Sequence, residues 1–193
     1  MKNSYTRMFL LLIFLFFSGI GYAANEDLRF DAALTGAQEV TATSSGGPSM
    51  GVPTDTSAVI EVQIDRGLTQ AQFRINVANG TGITEAHLHC APAGVNGPIV
   101  AFLFGPANPG VDVNEDAHEG VLDNSKIIVP TDTEACDVPI NNIASLASAM
   151  ISGKIYANIH STAFPNGVAR GQIFPRLENG SGNDLNGNGS GLF

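Results

Sequence analysis

The sequence predicts an all-β fold: an immunoglobulin-like or Greek-key β-sandwich or barrel with one short helix. Three observations carry this. Residues 58–65 and 70–77 alternate apolar and polar side chains with the period of a half-buried strand. Gly, Pro and Asn turn signals recur about every 8–12 residues, the spacing of short strands in sandwiches and barrels. Only one stretch, residues 139–151, carries apolar residues at helical spacing, namely Ile140, Ile143, Ala144, Ala147, Met150 and Ile151.

The elements follow in order. Residues 29–34 form a first short strand. In residues 58–65, Ile60, Val62 and Ile64 share one face, with Glu61 and Gln63 on the other. In residues 70–77, Phe73, Ile75 and Val77 oppose Gln72, Arg74 and Asn76. The link Asp65-Arg66-Gly67-Leu68 reads as a hairpin turn with Gly67 at positive φ. Asn79-Gly80-Thr81-Gly82 reads as a further turn before a strand over residues 85–89. Residues 98–104 are continuously apolar, as expected of a strand near a sheet centre. Residues 121–129 hold one or two short strands, and residues 154–160 and 169–174 close the domain. Asp137 and Pro139 fit the start of the helix and Gly153 its end.

The flanks differ in character. Lys2 and Arg7 precede an unbroken apolar run of ten residues from Met8 to Phe17, and Gly21-Tyr22-Ala23 supplies small residues. This is the pattern of a cleaved secretory signal over residues 1–23. Ten apolar residues fall short of the ~20 needed to span a bilayer. No later stretch is long enough, so no membrane span is expected after cleavage. The domain then occupies residues 24–176, within the reach of one hydrophobic core. Residues 41–56, rich in Ser, Gly, Pro and Thr, read as a long loop. Residues 177–193, rich in Asn, Gly and Ser, read as a flexible tail.

The whole chain carries a formal charge of −9. An acidic surface repels phosphate backbones, which argues against nucleic acid as a partner. The expected location is secreted or periplasmic. In that oxidising setting the two cysteines, Cys90 and Cys136, are expected to pair, closing a loop of about 45 residues worth roughly 3–4 kcal/mol on the chain-entropy account. The alternative reading makes Cys90 a metal ligand beside His89 and leaves Cys136 a spare thiol.

Three of the four histidines sit in two strand-like runs, Ala86-His87-Leu88-His89-Cys90 and Tyr156-Ala157-Asn158-Ile159-His160. In a strand, His87 and His89 project from one face about 6.6 Å apart, with Leu88 opposite. Neutral imidazole suits copper and zinc, so His87, His89 and His160 form a candidate site for one such ion if the two strands adjoin. The other reading has these side chains hydrogen-bonding to turn backbone and fixing loops. Arg170 is then a structural partner for a carboxylate or carbonyl; beside a metal it would steer an anion. Asp112, Asn114 and Asp116 have the spacing that opens a calcium loop, with Asp123 at the twelfth position. Ala117 replaces the required glycine, however, and a solvated turn is the better reading. Asp184, Asn186 and Asn188 repeat a fragment of the pattern. No Gly-x-Ser-x-Gly elbow, Walker loop or Rossmann glycine pattern is present, and no catalytic residue is assigned.

The motifs Leu34-Thr35-Gly36-Ala37-Gln38-Glu39-Val40, Thr84-Glu85-Ala86-His87-Leu88-His89 with Gly97-Pro98-Ile99-Val100, and Tyr156-Ala157-Asn158-Ile159-His160 with Arg170-Gly171-Gln172-Ile173 resemble, in this order, the CHRD domain. That family was first noted as a repeat in chordin and occurs in bacterial exported proteins. The resemblance covers about residues 30–174. It implies an immunoglobulin-like or Greek-key β-domain distantly similar to copper–zinc superoxide dismutases. In chordin the domain belongs to an extracellular antagonist of growth factors, which implies a binding role. Cys90 stands where the family pattern has Gly after His-x-His, so the cysteine pair reads as a staple particular to a subgroup. Three functions follow as expectations: a binding module for an extracellular protein or envelope component, a copper- or zinc-binding protein with redox or dismutase-like chemistry, and a structural envelope or matrix component. A complete two-metal dismutase site needs more histidines than this chain has, since only His118 remains.

Overall fold

The computed structural model describes residues 27–41, 51–131 and 134–176. The expected signal segment, the tail and most of the loop between the first two strands lie outside the described residues. Among the described residues are ten strands and one α-helix: β1 (Leu28–Thr35), β2 (Ser57–Ile64), β3 (Gln70–Ala78), β4 (Gly80–Cys90), β5 (Ile99–Phe104), β6 (Val111–Val113), β7 (Asp116–Asp123), α1 (Ile143–Ile151), β8 (Ile155–Ser161), β9 (Ala169–Gln172) and β10 (Phe174–Pro175).

All pairings are antiparallel, in the order β5-β4-β8-β9-β1-β2-β3-β7, with β10 beside β1 and β6 beside β4. The sheet rolls until its end strands β5 and β7 approach each other, giving a nearly closed barrel. Of the two expected architectures, the molecule takes the barrel-like one. Alternation explains why. Ala58, Ile60, Val62 and Ile64 of β2 and Ala71, Phe73, Ile75 and Val77 of β3 all point inward and are buried. Their pairing in register, Ile60 with Ile75 and Val62 with Phe73, stacks apolar side chains on one face of neighbouring strands.

Several sequence expectations shift. The β2–β3 turn places Leu68 rather than Gly67 at positive φ. The Asp65 carboxylate holds that turn, accepting the N–H of Thr69 (2.8 Å) and of Gln70 (2.7 Å). Asn79, not a four-residue turn, redirects the chain. It takes φ 54° and β4 begins at the next residue. β3 and β4 are not paired: β4 crosses to lie between β5 and β8. β5 ends the sheet instead of sitting at its centre. Its apolar run reflects Val100, Ala101 and Leu103 in the core, with Phe102 turned outward and 45% exposed. Residues 121–129 contribute only the end of β7, after which Asn124–Lys126 form a 3-10 turn.

The helix starts at Ile143, later than the expected residue 139, because Asn142 provides the cap. Its side chain accepts from the N–H of Ser145, whose hydroxyl accepts from the N–H of Asn142. Ile143, Leu146, Ala147 and Met150 bury the inner stripe. Cys90 and Cys136 form a disulfide and both are buried. It ties the end of β4 to the irregular segment that leads into α1.

The region that positions the candidate site is β4, β8 and β9. Ala86, Leu88, Ile155, Ala157, Ile159 and Ala169 face the core. The opposite face is polar, yet buried as well, because the 91–98 loop folds across it. Asn96 links that loop to the β1 side by donating to the carbonyl of Val40 (3.0 Å). Both faces are covered, so both parities of residue are buried along β8.

Candidate metal centre

The outward face of β4-β8-β9 is a grid of polar side chains fixed by strand register. Glu85 lies opposite His160, His87 opposite Asn158, and His89 opposite Tyr156. Asn158 in turn faces Arg170, and Tyr156 faces Gln172. His160 is thus the diagonal neighbour of His87, within side-chain reach across an antiparallel pair. His87 is 2% exposed, His89 8%, and His160 is half-buried.

A metal-ligating nitrogen from each of the three rings lies within 4.8 Å of the other two. The tightest approach is 3.2 Å, from His87 Nδ1 to His160 Nε2. Nitrogens sharing one ion at zinc or copper bond lengths of ~2.0–2.1 Å stand about 3.3–3.6 Å apart. The His87–His160 pair already stands close to that separation, and the spacing to His89 reaches up to 4.8 Å.

Proton accounting sharpens the picture. His89 Nδ1 lies 2.9 Å from the carbonyl of Gly97, and His160 Nδ1 lies 2.9 Å from that of Pro165. A carbonyl only accepts, so both Nδ1 atoms carry the proton and both Nε2 atoms carry a lone pair. His87 has Glu85 Oε2 3.0 Å from its outer nitrogen, Nε2. This contact is close but out of line for a hydrogen bond, and His87 Nε2 and His89 Nε2 both remain buried without an aligned partner. The carbonyls thus fix His89 and His160 with Nε2 inward, and the His87 nitrogen that faces His160 is Nδ1. Carbonyl or carboxylate groups behind ligating imidazoles are the usual means of fixing tautomer and ring orientation at metal sites. Burial pushes His87 down to about 3, with the neighbouring His160 and His89 adding to the effect. Burial likewise pushes His89 down to about 4, against the hydrogen bond to Gly97. Both are neutral at physiological pH, the form that binds metal.

Behind His89 stands a stack. The Tyr156 ring lies parallel to the imidazole, 4.8 Å between centroids and 8° between planes, and the Arg170 guanidinium lies 3.5 Å over the Tyr156 ring. Arg170 is 2% exposed and donates to the carbonyls of Val95 (2.8 Å) and Pro92 (3.4 Å) and to Asn96 Oδ1 (3.1 Å). Its N–H groups are directed into the covering loop. Sequence reasoning missed Glu39, a buried carboxyl that accepts from Asn158 and interacts with Arg170. Burial pushes it up to about 7 despite the opposing guanidinium charge. Its place in the first family motif was the only available signal. On the solvent side, Phe102 packs edge-on to His87 (4.6 Å).

The remaining candidates fall elsewhere. His118 lies on β7, edge-on to Phe104 at 5.4 Å. Asp112 and Asn114 do not open a calcium loop: the segment is extended, and their carboxylate and amide oxygens accept the N–H groups of Gly82 (2.7 Å) and Asn79 (3.0 Å). Asp184, Asn186 and Asn188 lie outside the described residues. The broad clefts on the outer face of β1–β3, lined by residues such as Arg29, Glu61 and Arg74, carry no comparable convergence of lone pairs.

Fold and centre together define a disulfide-linked, all-β domain with a buried polar face and three convergent imidazoles. Residues 30–173 match the CHRD domain, and the chain belongs to that family. No curated protein and no solved structure matches it.

Proposed function

We propose that this CHRD domain is an exported module that binds one copper or zinc ion through His87 Nδ1, His89 Nε2 and His160 Nε2. The observation that carries the reading is the convergence of one nitrogen from each of three rings within 4.8 Å, with the Gly97 and Pro165 carbonyls turning the His89 and His160 lone pairs inward. In the metal-free domain the 3.2 Å gap between His87 Nδ1 and His160 Nε2 fits a hydrogen bond from one ring to the other, and a metal ion would take the place of that proton. Neutral imidazole ligands suit copper and zinc, and the affinity order of divalent metals favours copper. The acidic chain, at −9, raises the local concentration of cations. Export is supported by the positive, then apolar, then small-residue start of the chain and is compatible with the Cys90–Cys136 disulfide.

One equivalent of Cu(II), and separately Zn(II), added to the metal-free domain should raise its unfolding temperature. The gain is about 2.7 kcal/mol when free metal is a hundredfold above Kd. Cu(II) should also produce a visible ligand-field band. His87→Ala, His89→Ala and His160→Ala should each abolish most of the shift, and His118→Ala should keep it. An unchanged melting temperature in the wild type, or equal shifts in all four variants, contradicts the proposal. A binding role toward an extracellular protein or envelope component is the second reading. The 45% exposed Phe102 beside the centre is the specific feature that favours it.

A further inference from the structure

We infer that Arg170 is the positioning residue of the metal centre: one buried guanidinium sets both the tautomer and the ring plane of His89 without touching a metal. The inference rests on the metal reading for its purpose, but its geometry stands independently.

The chain of contacts is short. His89 is restrained in its plane by the Gly97 carbonyl and across its face by the Tyr156 ring. Both restraints lead to Arg170. Gly97 ends the covering loop whose carbonyls at Pro92 and Val95, and whose Asn96 side chain, all accept from the guanidinium. The Tyr156 ring is held between that guanidinium and the imidazole, and its hydroxyl accepts the N–H of Gly97 (3.1 Å). Gly97 thus joins the two arms, its N–H bound to Tyr156 and its carbonyl to His89. A Cβ on Gly97 would lie 1.9 Å from the Cys90 carbonyl oxygen, so the loop descends onto β4 where only glycine fits. The planar fork of an arginine is suited to this task. It donates to several carbonyls in one plane while its face stacks on an aromatic ring, which a lysine cannot do.

His160 supplies an internal control. Its Nδ1 hydrogen goes to Pro165 O, in a turn closed by Gly167 N to Phe164 O (3.1 Å) and Val168 N to Ile159 O (2.7 Å), with no link through Arg170 among these bonds. Removing the guanidinium should free His89 and leave His160 unchanged.

The test uses the metal-free domain with 15N-labelled histidine, in which long-range proton–nitrogen spectra report each tautomer. Because Arg170 interacts with the buried Glu39 carboxyl, the variant is the double substitution Arg170→Met with Glu39→Gln, compared with Glu39→Gln alone. In Glu39→Gln, His89 and His160 should both be protonated at Nδ1. With Arg170→Met added, His89 should become a tautomer mixture, His160 should not change, and affinity for Cu(II) should fall 10–100-fold, as for other outer-sphere partners of ligating histidines. Arg170→Lys should restore part of the affinity. An unaltered His89 tautomer, or equal changes at His89 and His160, overturns the inference. If the double variant does not fold, Asn96→Ala removes one acceptor at an exposed loop position. It should shift His89 in the same direction by a smaller amount, and no shift overturns the inference. A domain that shows the tautomer effect but takes up neither copper nor zinc would refute the metal reading alone.

Discussion

Glu39 is the residue whose protonation runs against its neighbours. It is 4% exposed, and burial pushes it up to about 7 from the ordinary carboxyl value of 4.5. A group with a raised folded value contributes stability below its unfolded pKa and loses that contribution as pH rises through the folded one. Glu39 therefore favours the fold below about 4.5 and costs stability progressively up to about 7. Replacement by Gln keeps the shape and removes the charge. Denaturant midpoints measured from pH 4.5 to 8 should move in favour of Glu39→Gln as pH rises, with most of the change complete near pH 7. A pH-independent difference would mean that Glu39 is already ionised throughout. The two buried histidines act in the opposite sense. Their folded values, about 3 and about 4, lie below the ordinary imidazole value of 6.5, so their contribution is complete above pH 6.5 and is lost on acidification toward 4 and 3.

At the scale of elements, β4 connects the centre to the rest of the molecule. It carries Glu85, His87 and His89 on one face, Leu88 on the other, and Cys90 at its end. The disulfide to Cys136 encloses the covering loop, β5, β6 and β7, a separation of 46 residues. On the chain-entropy account, a loop of that size stabilises by roughly 3–4 kcal/mol. The double substitution Cys90→Ala with Cys136→Ala should lower stability by about that amount in denaturant titration. It should leave the tautomers of His89 and His160 in place, because the carbonyls that fix them belong to Gly97 and Pro165. A variant of native stability would mean that burial of both sulfurs, rather than the covalent link, holds this edge. The elements also show what local pattern conveys. β2 and β3 were legible because one face of each is solvated, so alternation survives in Ile60, Val62 and Ile64 against Glu61 and Gln63. The placement of β5 at the sheet edge was not legible. Its outward residue Phe102 is as apolar as its core neighbours, and local hydropathy does not distinguish a ring over an imidazole from a ring in the core. The helix start was misplaced for a related reason: Ile140 is buried and in phase with the helix, yet the Asn142–Ser145 capping box sets the boundary.

Over the whole molecule, a single sheet rolled into a nearly closed barrel has one face for its core, and here β4-β8-β9 uses its other face as well. The second layer is polar because it is built from alternate residues of strands whose other side is apolar. Once the 91–98 loop excludes water from it, every polar atom needs a partner. Most find one: Arg170 in the loop carbonyls, Gln172 Nε2 in the carbonyls of Ala91 (3.1 Å) and Gly153 (2.7 Å), His89 and His160 in Gly97 and Pro165. The atoms left over include His89 Nε2, on the side of the neighbouring imidazoles, and His87 Nε2, on the side of Glu85. The sequence made the histidine trio visible through the His87-x-His89 spacing. It did not reveal the covering loop's role or Glu39, since both depend on how distant segments fold onto a face with no apolar pattern of its own.

The most direct measurement is X-ray absorption at the copper or zinc edge on the domain loaded with one equivalent of metal. A shell of three imidazole nitrogens at ~2.0–2.1 Å, reduced to two in His89→Ala, is the predicted result. A shell of oxygens alone, or a spectrum unaffected by loss of His87, His89 or His160, would contradict the assignment of these three residues to a metal centre.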